Sequence, residues 1–332
     1  MTGWLRTIFA DDDPFPSEDP DVWMFAVLPD TQIYTAKYPA LFEAQTRWIT
    51  ENAEALRIRF VLHEGDVVND NLAAQWDVAE RALRALDGRV PYVIALGNHD
   101  CGPRGCSSDR SSLFTERFPF EELASRPSFV ESFEEGRADN SAHLFDTPSG
   151  PWLVVVLEFG PRDPVVEWAG EVLARHRATP AILLTHAYTY YDDTRYDRAA
   201  RPDQTWSPHE YGVARLPGGV NDGEALYQKL VRRHDNVQLV LSGHVLGRGN
   251  ACITSPQDGG SEVHQLLANY QHRSRGGDGY LRLIEIDARI RRIRVRTFSP
   301  DLNRYRPDPG DTIDLVLPMI GPEAPPPAAG ET

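Results

Sequence analysis

Five short apolar runs in this chain each stop at residues able to bind a metal ion, and this regularity constrains the fold more than any other feature. VWMFAVL (22–28) is followed by Asp30 and Gln32 in LPDTQ, RFVLHEGD ends in Asp66, and PYVIALGN (91–98) ends in Asn98 and is followed by His99 and Asp100. AILLTH ends in His186 and VQLVLSGH ends in His244. Between the first three runs, Leu41, Trp48, Ile49 and Leu56, and then Trp76, Ala79, Leu83 and Leu86, recur at helical spacing. Strands that alternate with helices imply right-handed crossovers and a largely parallel sheet. Ligands bind beyond the carboxyl ends of the strands in such a sheet, so the five run ends should converge on one site. Their mixture of carboxylate oxygen, amide oxygen and imidazole nitrogen suits Mn, Fe or Zn better than an all-oxygen calcium cage.

The alternation continues through WLVVVLEF (152–159), a helix near 163–177 and a helix near 223–234. After residue 248, EVHQLLANY, YLRLIEID and RIRVRTF read as a β-meander, which predicts a second sheet packed on the first. Residues 100–140 and 187–222 are irregular, and long loops in a compact domain are usually functional. Residues 1–21 form an acidic, Pro-containing tail whose part from 11 to 21 cannot bury an apolar face, and residues 321–332 form a Pro-rich one. A single domain over 22–320 is the simplest division.

Charge narrows the partners. With 34 Lys plus Arg against 49 Asp plus Glu, the net charge of −15 repels phosphate backbones and anionic lipid, so duplex nucleic acid and membrane docking are poor expectations. No apolar run reaches transmembrane length, and the N-terminus does not resemble a secretory signal, so a cytoplasmic location is expected. Cys101, Cys106 and Cys252 are too few and too unevenly spaced for a disulfide framework and are expected as free thiols.

The ordered series D-x-Q, GDxxND, GNHD, TH and GH resembles the calcineurin-like metallophosphoesterase superfamily. Later segments, VHQLLANYQ, GGDGYLRL and RTFSPDLNRY, also resemble the C-terminal region of a bacterial subgroup with a DTQ first motif and a GHVL last motif. The resemblance implies an α/β fold of four layers, an α/β/β/α sandwich, and a metal-dependent phosphoesterase acting on a small phosphorylated substrate or a phosphoprotein. It implies two divalent or mixed-valence ions, of Mn, Fe or Zn. Asp66 would bridge them; Asn98, His186 and His244 would complete one shell and Asp30 would hold the other ion. His99, oriented by Asp100, would face the leaving group. Two positions depart from the family pattern, Gln32 and Leu246 standing where histidines are usual, and both fall on the Asp30 ion. Gln32 offers a weaker amide oxygen and Leu246 offers nothing, so a substitute ligand is sought in His209, Glu158 or Asp222. The second ion is therefore in doubt, and a one-metal hydrolase or a non-catalytic metal-binding protein on the same fold are the alternatives.

Other residues carry weaker expectations. His63, three residues before Asp66 on the strand, reads as a packed histidine supporting the site, while His143, His176, His234, His264 and His272 lack any companion motif. Tyr34, Arg162, Arg195 and His209 are candidate substrate contacts, Arg195 lying in the aromatic stretch YTYYDDTRYD after His186. The chain has no G-x-S-x-G elbow, no phosphate-binding G-x-x-x-x-G-K-[ST] loop and no H-E-x-x-H helix.

Overall fold

The computed structural model describes residues 15–320. In chain order the elements begin β1 (Trp23–Leu28), α1 (Gln32–Lys37), α2 (Pro39–Asn52), β2 (Ile58–His63), α3 (Ala73–Arg84), β3 (Tyr92–Ile94), α4 (Phe114–Arg117) and α5 (Phe120–Ala124). Next come β4 (Phe129–Ser132), β5 (Ser141–Phe145), β6 (Trp152–Leu157), α6 (Asp163–Arg175), β7 (Ala181–Thr185), β8 (Thr189–Tyr190), β9 (Thr194–Arg195) and α7 (Gly223–Lys229). The chain closes with β10 (Val237–Ser242), β11 (Asn250–Pro256), β12 (Glu262–Ala268), β13 (Leu281–Asp287), β14 (Arg292–Ser299), β15 (Arg304–Tyr305) and β16 (Thr312–Val316).

Among the described residues these strands build two seven-stranded sheets and the small hairpin β8–β9. The first sheet has the order β15-β14-β13-β1-β2-β3, with β16 also on β14; the second has the order β11-β12-β10-β7-β6-β5-β4. Strands β1, β2 and β3 run parallel, as do β6, β7, β10 and β12. The second sheet is thus built largely from the middle of the chain. Of the three late segments read as a meander, only β12 joins it; β13 and β14 return to the first sheet, β13 lying antiparallel beside β1. The misreading has a physical source, because a strand buried on both faces shows no alternation that reveals its partner.

Each β1 side chain belongs to one of two cores. Trp23, Phe25 and Val27 face the second sheet, where they meet Phe60, Phe145, Trp152 and Ile182. Met24, Ala26 and Leu28 face outward onto α2 and α3 through Leu41, Phe42, Ile49, Trp76 and Leu83. The outer face of the second sheet is covered in the same way by α6 and α7, through Val165, Ala169, Val172, Leu173 and Leu226. Helices, sheet, sheet and helices make the four-layer α/β/β/α sandwich that the resemblance implied. Between the sheets, Phe60 stacks on Phe25 at 4.9 Å and on Phe145 at 4.6 Å, and Trp23 meets Trp152 edge-on at 5.4 Å.

Residues 1–14 and 321–332, which hold most of both expected tails, lie outside the described residues. Phe15 departs from the reading of residues 11–21 as unable to bury an apolar face: it is 5% exposed and packs edge-on against Tyr305 at 5.9 Å. No helix among the described residues is long and apolar enough to cross a membrane.

Candidate metal centre

Five of the seven parallel strands deliver an expected ligand at the carboxyl end, and all five residues are buried: Asp30 after β1, Asp66 after β2, Asn98 after β3, His186 after β7 and His244 after β10. After β6 come the buried Glu158 and then Phe159, whose ring lies 6.0 Å from that of His186 and 5.5 Å from that of His244. Asp66 and His244 have positive φ, 51° and 70°, which turn the chain sharply at the strand ends and aim both side chains inward. Such backbone costs on the order of 1–3 kcal/mol per residue and persists only where the surroundings fix it.

Hydrogen bonds set which ring nitrogens face the centre. His186 Nδ1 lies 2.8 Å from the Glu64 carbonyl and His244 Nε2 lies 2.7 Å from the Trp206 carbonyl. A carbonyl only accepts, so those nitrogens carry the hydrogens, and in the neutral rings His186 Nε2 and His244 Nδ1 present lone pairs. These two atoms are 3.2 Å apart, and Asp66 Oδ1 is 3.2 Å from His186 Nε2. Asp66, His186 and His244 thus bring one ligand atom each within 4.8 Å of one another, all buried. Three acceptors aimed at one buried point repel unless a cation lies among them, and the outer ring nitrogens tied to carbonyls are the usual support of metal-bound histidine. Asn98 Oδ1, buried and without a hydrogen-bond partner, offers a further oxygen. The donor set fits a divalent ion.

The carboxylates of the centre favour positive charge on His186. Burial disfavours charge on His186, but the Asp66 and Asp30 carboxylates outweigh it and push its pKa up to about 10. Burial likewise works against ionised Asp66, yet His186 and His99 hold its pKa below the ordinary carboxylate range. His244, beside charged His186, is held down to about 3, chiefly by burial.

His99 is half-buried at the rim. Its backbone N–H donates to Asp66 Oδ1 at 2.9 Å, and its ring Nδ1 donates to the Asn69 carbonyl at 2.7 Å, which leaves Nε2 free. Asp100 does not orient this ring, contrary to the sequence reading. Its carboxylate accepts the backbone N–H groups of Val67 at 3.1 Å, Val68 at 2.9 Å and Gly97 at 2.8 Å, so it ties the loop after β2 to the loop after β3. His63 is a packed histidine, as expected, bonded to Thr31 Oγ1 at 2.9 Å and accepting from Gly65 N at 3.1 Å.

The candidate substrate contacts are occupied elsewhere. Arg195 binds Glu224 at 2.6 Å, Ser255 at 2.9 Å and Gln265 at 3.1 Å, with its guanidinium 3.9 Å over the Tyr227 ring. Arg162 binds Glu158 at 2.8 Å and Glu134 at 3.0 Å. Tyr34 is buried and accepts from Gly279 N at 3.0 Å. His209 pairs with Asp222 at 3.3 Å, and Asp222 also caps α7 by accepting from Ala225 N at 3.0 Å. Glu158 is held by Arg162 and Arg110 and Asp222 by His209 and α7, so neither of the two carboxylates sought as substitute ligands for the Asp30 ion is free to serve.

Two of the residues that surround Asp30, Asn269 and Gln271, were not singled out in the sequence. Asn269, just past β12, donates to Asp30 Oδ2 at 2.8 Å, and Gln271 donates to the same oxygen at 3.3 Å. The His244 N–H donates to Asp30 Oδ1 at 3.2 Å, and Gln32 Nε2 donates to Gln271 Oε1. Tyr211, its ring 6.1 Å from His244 and 5.0 Å from Phe159, and the Trp206 carbonyl bring the 187–222 loop to the centre.

A buried carboxylate–histidine centre at the strand ends of a four-layer sandwich defines a metallohydrolase architecture, and comparison with known proteins agrees. The model of the calcineurin-like phosphoesterase family matches residues 24–248, and the chain belongs to that family. It is 30% identical over 313 residues to the uncharacterized protein YvnB of Bacillus subtilis (strain 168), a match that covers 92% of this chain and 22% of that protein. The chain thus spans less than a quarter of that relative's length. Among solved structures it is similar to the purple acid phosphatase PPD1 of yellow lupin (Lupinus luteus) seeds, with a TM-score of 0.52, 16% identity and coverage of 92% of this chain and 55% of that one. That likeness shows the shared fold. A weaker match, at a TM-score of 0.44 and 10% identity, is to the NAD nucleotidase NadN of Haemophilus influenzae, over 90% of this chain and 50% of that one. The chain's family implies a dinuclear divalent metal site, for which the Asp66–His186–His244 cluster supplies ligands.

Proposed function

We propose that this chain hydrolyses a phosphate mono- or diester of a small molecule, with Asp66, Asn98, His186 and His244 holding one ion of the Mn, Fe or Zn type, Asp30 contributing to a second, and His99 at the leaving group. The observation that carries the reading is the convergence of His186 Nε2, His244 Nδ1 and Asp66 Oδ1 on one buried point, with both outer ring nitrogens tied to carbonyls. Divalent ions there supply electrostatic stabilisation of the phosphoryl oxygens and activation of the attacking water.

The chain's own residues do the rest. Asn69 fixes the His99 ring through Nδ1, so Nε2 is the nitrogen that meets the substrate, and a proton on Nε2 passes to the departing oxygen as the P–O bond breaks. The His99 N–H to Asp66 Oδ1 bond keeps that ring in register with the ligand cluster. Phe159 and Tyr211 wall the centre and limit water around it.

Mn-loaded protein should release phenol from phenyl phosphate or from diphenyl phosphate, and a chelator should abolish the release. His99→Asn should keep its metal content and lose at least ~10²-fold in turnover. The loss should be smaller with p-nitrophenyl esters, whose leaving group departs without a proton. Loaded protein that cleaves none of these esters overturns the reading, and unchanged turnover in His99→Asn removes His99 from it.

A further inference from the structure

The half-site around Asp30 lacks both histidines that its family would place there, and the amides that surround it fix one another's orientation. The backbone N–H of Gln271 donates to Asn269 Oδ1 at 3.0 Å, so Asn269 must present its NH₂ to Asp30, and it does so at 2.8 Å. Ionised Asp30, as a cation ligand must be, accepts only, so Gln271 turns its own NH₂ toward Oδ2 and its Oε1 toward Gln32. Gln32 answers with Nε2. Its remaining oxygen, Oε1, is buried without a hydrogen-bond partner on a residue 4% exposed. Burying such an acceptor unpaired costs about 1–3 kcal/mol, which a ligand at that oxygen would recover.

Asp30 itself is asymmetric. Oδ2 accepts from Asn269 and Gln271 and shares the His244 N–H with Oδ1, to which no other group donates. Oxygens are therefore what this half-site has to offer. From this we propose that the Asp30 half-site is an oxygen-only cation site, with Asp30 Oδ1 and Gln32 Oε1 as ligands and Asn269 and Gln271 as the amides that position them. It selects a hard divalent ion such as Mn²⁺ or Mg²⁺, while the histidine half-site takes a borderline ion such as Zn²⁺. The centre is then chemically unsymmetrical by construction. The inference rests on the reading of this cluster as a metal pair, but its test does not depend on turnover.

The full chain is stripped with a chelator, given one equivalent of Zn²⁺ and then titrated with Mn²⁺. Elemental analysis should find one Zn and one Mn per chain. Electron spin echo spectroscopy of the bound Mn²⁺ should show no coupling to directly bound imidazole nitrogen. Gln32→His should introduce that coupling, and Gln271→Leu should keep the Zn while weakening the Mn by about 10- to 100-fold, as loss of a residue that supports a ligand does. Because Gln271→Leu removes a buried amide and can fail to fold, Gln32→His decides if it does. Imidazole coupling in the wild-type Mn signal, no Mn bound beside the Zn, or a Gln32→His signal identical to wild type would each overturn the assignment. Protein that holds the mixed pair yet cleaves no phosphate ester would overturn the proposed function and leave this assignment standing; active protein with imidazole-bound Mn would do the reverse.

Discussion

Two glycines separate the half-sites in a way that a single methyl group can read. A Cβ added to Gly243 would fall closer than 3.0 Å to Asp30 Oδ1, with Asp30 Cγ at 3.3 Å and the Ala268 carbonyl at an ordinary 3.5 Å. The φ of Gly243 lies outside the left-handed region, so Gly243→Ala meets only the end of one side chain. Relief comes from turning Asp30 off its rotamer, about 0.5–1.5 kcal/mol, and losing the charge-assisted bond from Asn269, about 1.5–3 kcal/mol. The expected cost is about 2–4 kcal/mol, confined to the Asp30 half-site. A Cβ on Gly97 would instead meet both Asp66 Oδ1 and the Asp66 backbone nitrogen inside 3.0 Å, and a backbone atom cannot swing aside. Urea unfolding in chelator at pH 9, above the value of about 8 to which burial raises the Asp30 pKa, and elemental analysis after Mn loading measure the two effects. Gly243→Ala should unfold about 2–4 kcal/mol more easily and retain one ion, whereas Gly97→Ala should be destabilised further and retain none. If Gly243→Ala kept two ions at wild-type stability, or if the two variants behaved alike, the steric reasoning would be refuted.

The remaining expectations concern residues away from the centre. Burial, with Arg126 adding, holds the His143 pKa down to about 3 from an ordinary 6.5. The unfolded chain therefore binds the extra proton between these values, and stability present above pH 6.5 falls by up to about 1.4 kcal/mol per pH unit as the pH drops toward 3. His143→Phe, whose ring would replace imidazole between Phe129 and Phe145, should lose about 2 kcal/mol less than wild type between pH 6.5 and 5 in urea unfolding; equal losses would show that His143 does not titrate this way. Arg195→Ala should leave metal content and turnover unchanged while lowering stability, because its guanidinium bridges Glu224 to Ser255 and Gln265. A selective loss of turnover would return Arg195 to the substrate pocket.

The expected ligands were legible because each follows an apolar run, and because strands buried on both faces leave their first polar residue at the sheet's end. Asn269 and Gln271 obey the same rule, since β12 runs parallel to β10 and ends beside it. They were missed because EVHQLLANY carries no mark of strand direction, and a meander would have placed its end at the opposite edge of the sheet. Asp100 and the two arginines failed for a different reason. A carboxylate three residues past Gly97 can accept that glycine's N–H as easily as it can orient the neighbouring imidazole, and a guanidinium goes to whichever carboxylate the fold brings near. Adjacency in sequence identified the charges but not their partners.

Placement of the centre on the seam between the sheets links its chemistry to the core beneath. Asp30 comes from the first sheet and accepts from His244 and Asn269 of the second; His186 comes from the second sheet and donates to the Glu64 carbonyl of the first. Neither sheet alone presents a complete half-site. The stack of Phe25, Phe60 and Phe145 and the Trp23–Trp152 contact therefore set the distance across which the ligands face one another. A cation held by Asp66 of one sheet and His186 and His244 of the other would act as a clasp, and its binding free energy would add to the stability of the sandwich. The same coupling accounts for the positive φ at Asp66 and His244: the strain at each turn is offset by a core that leaves the strand ends nowhere else to go.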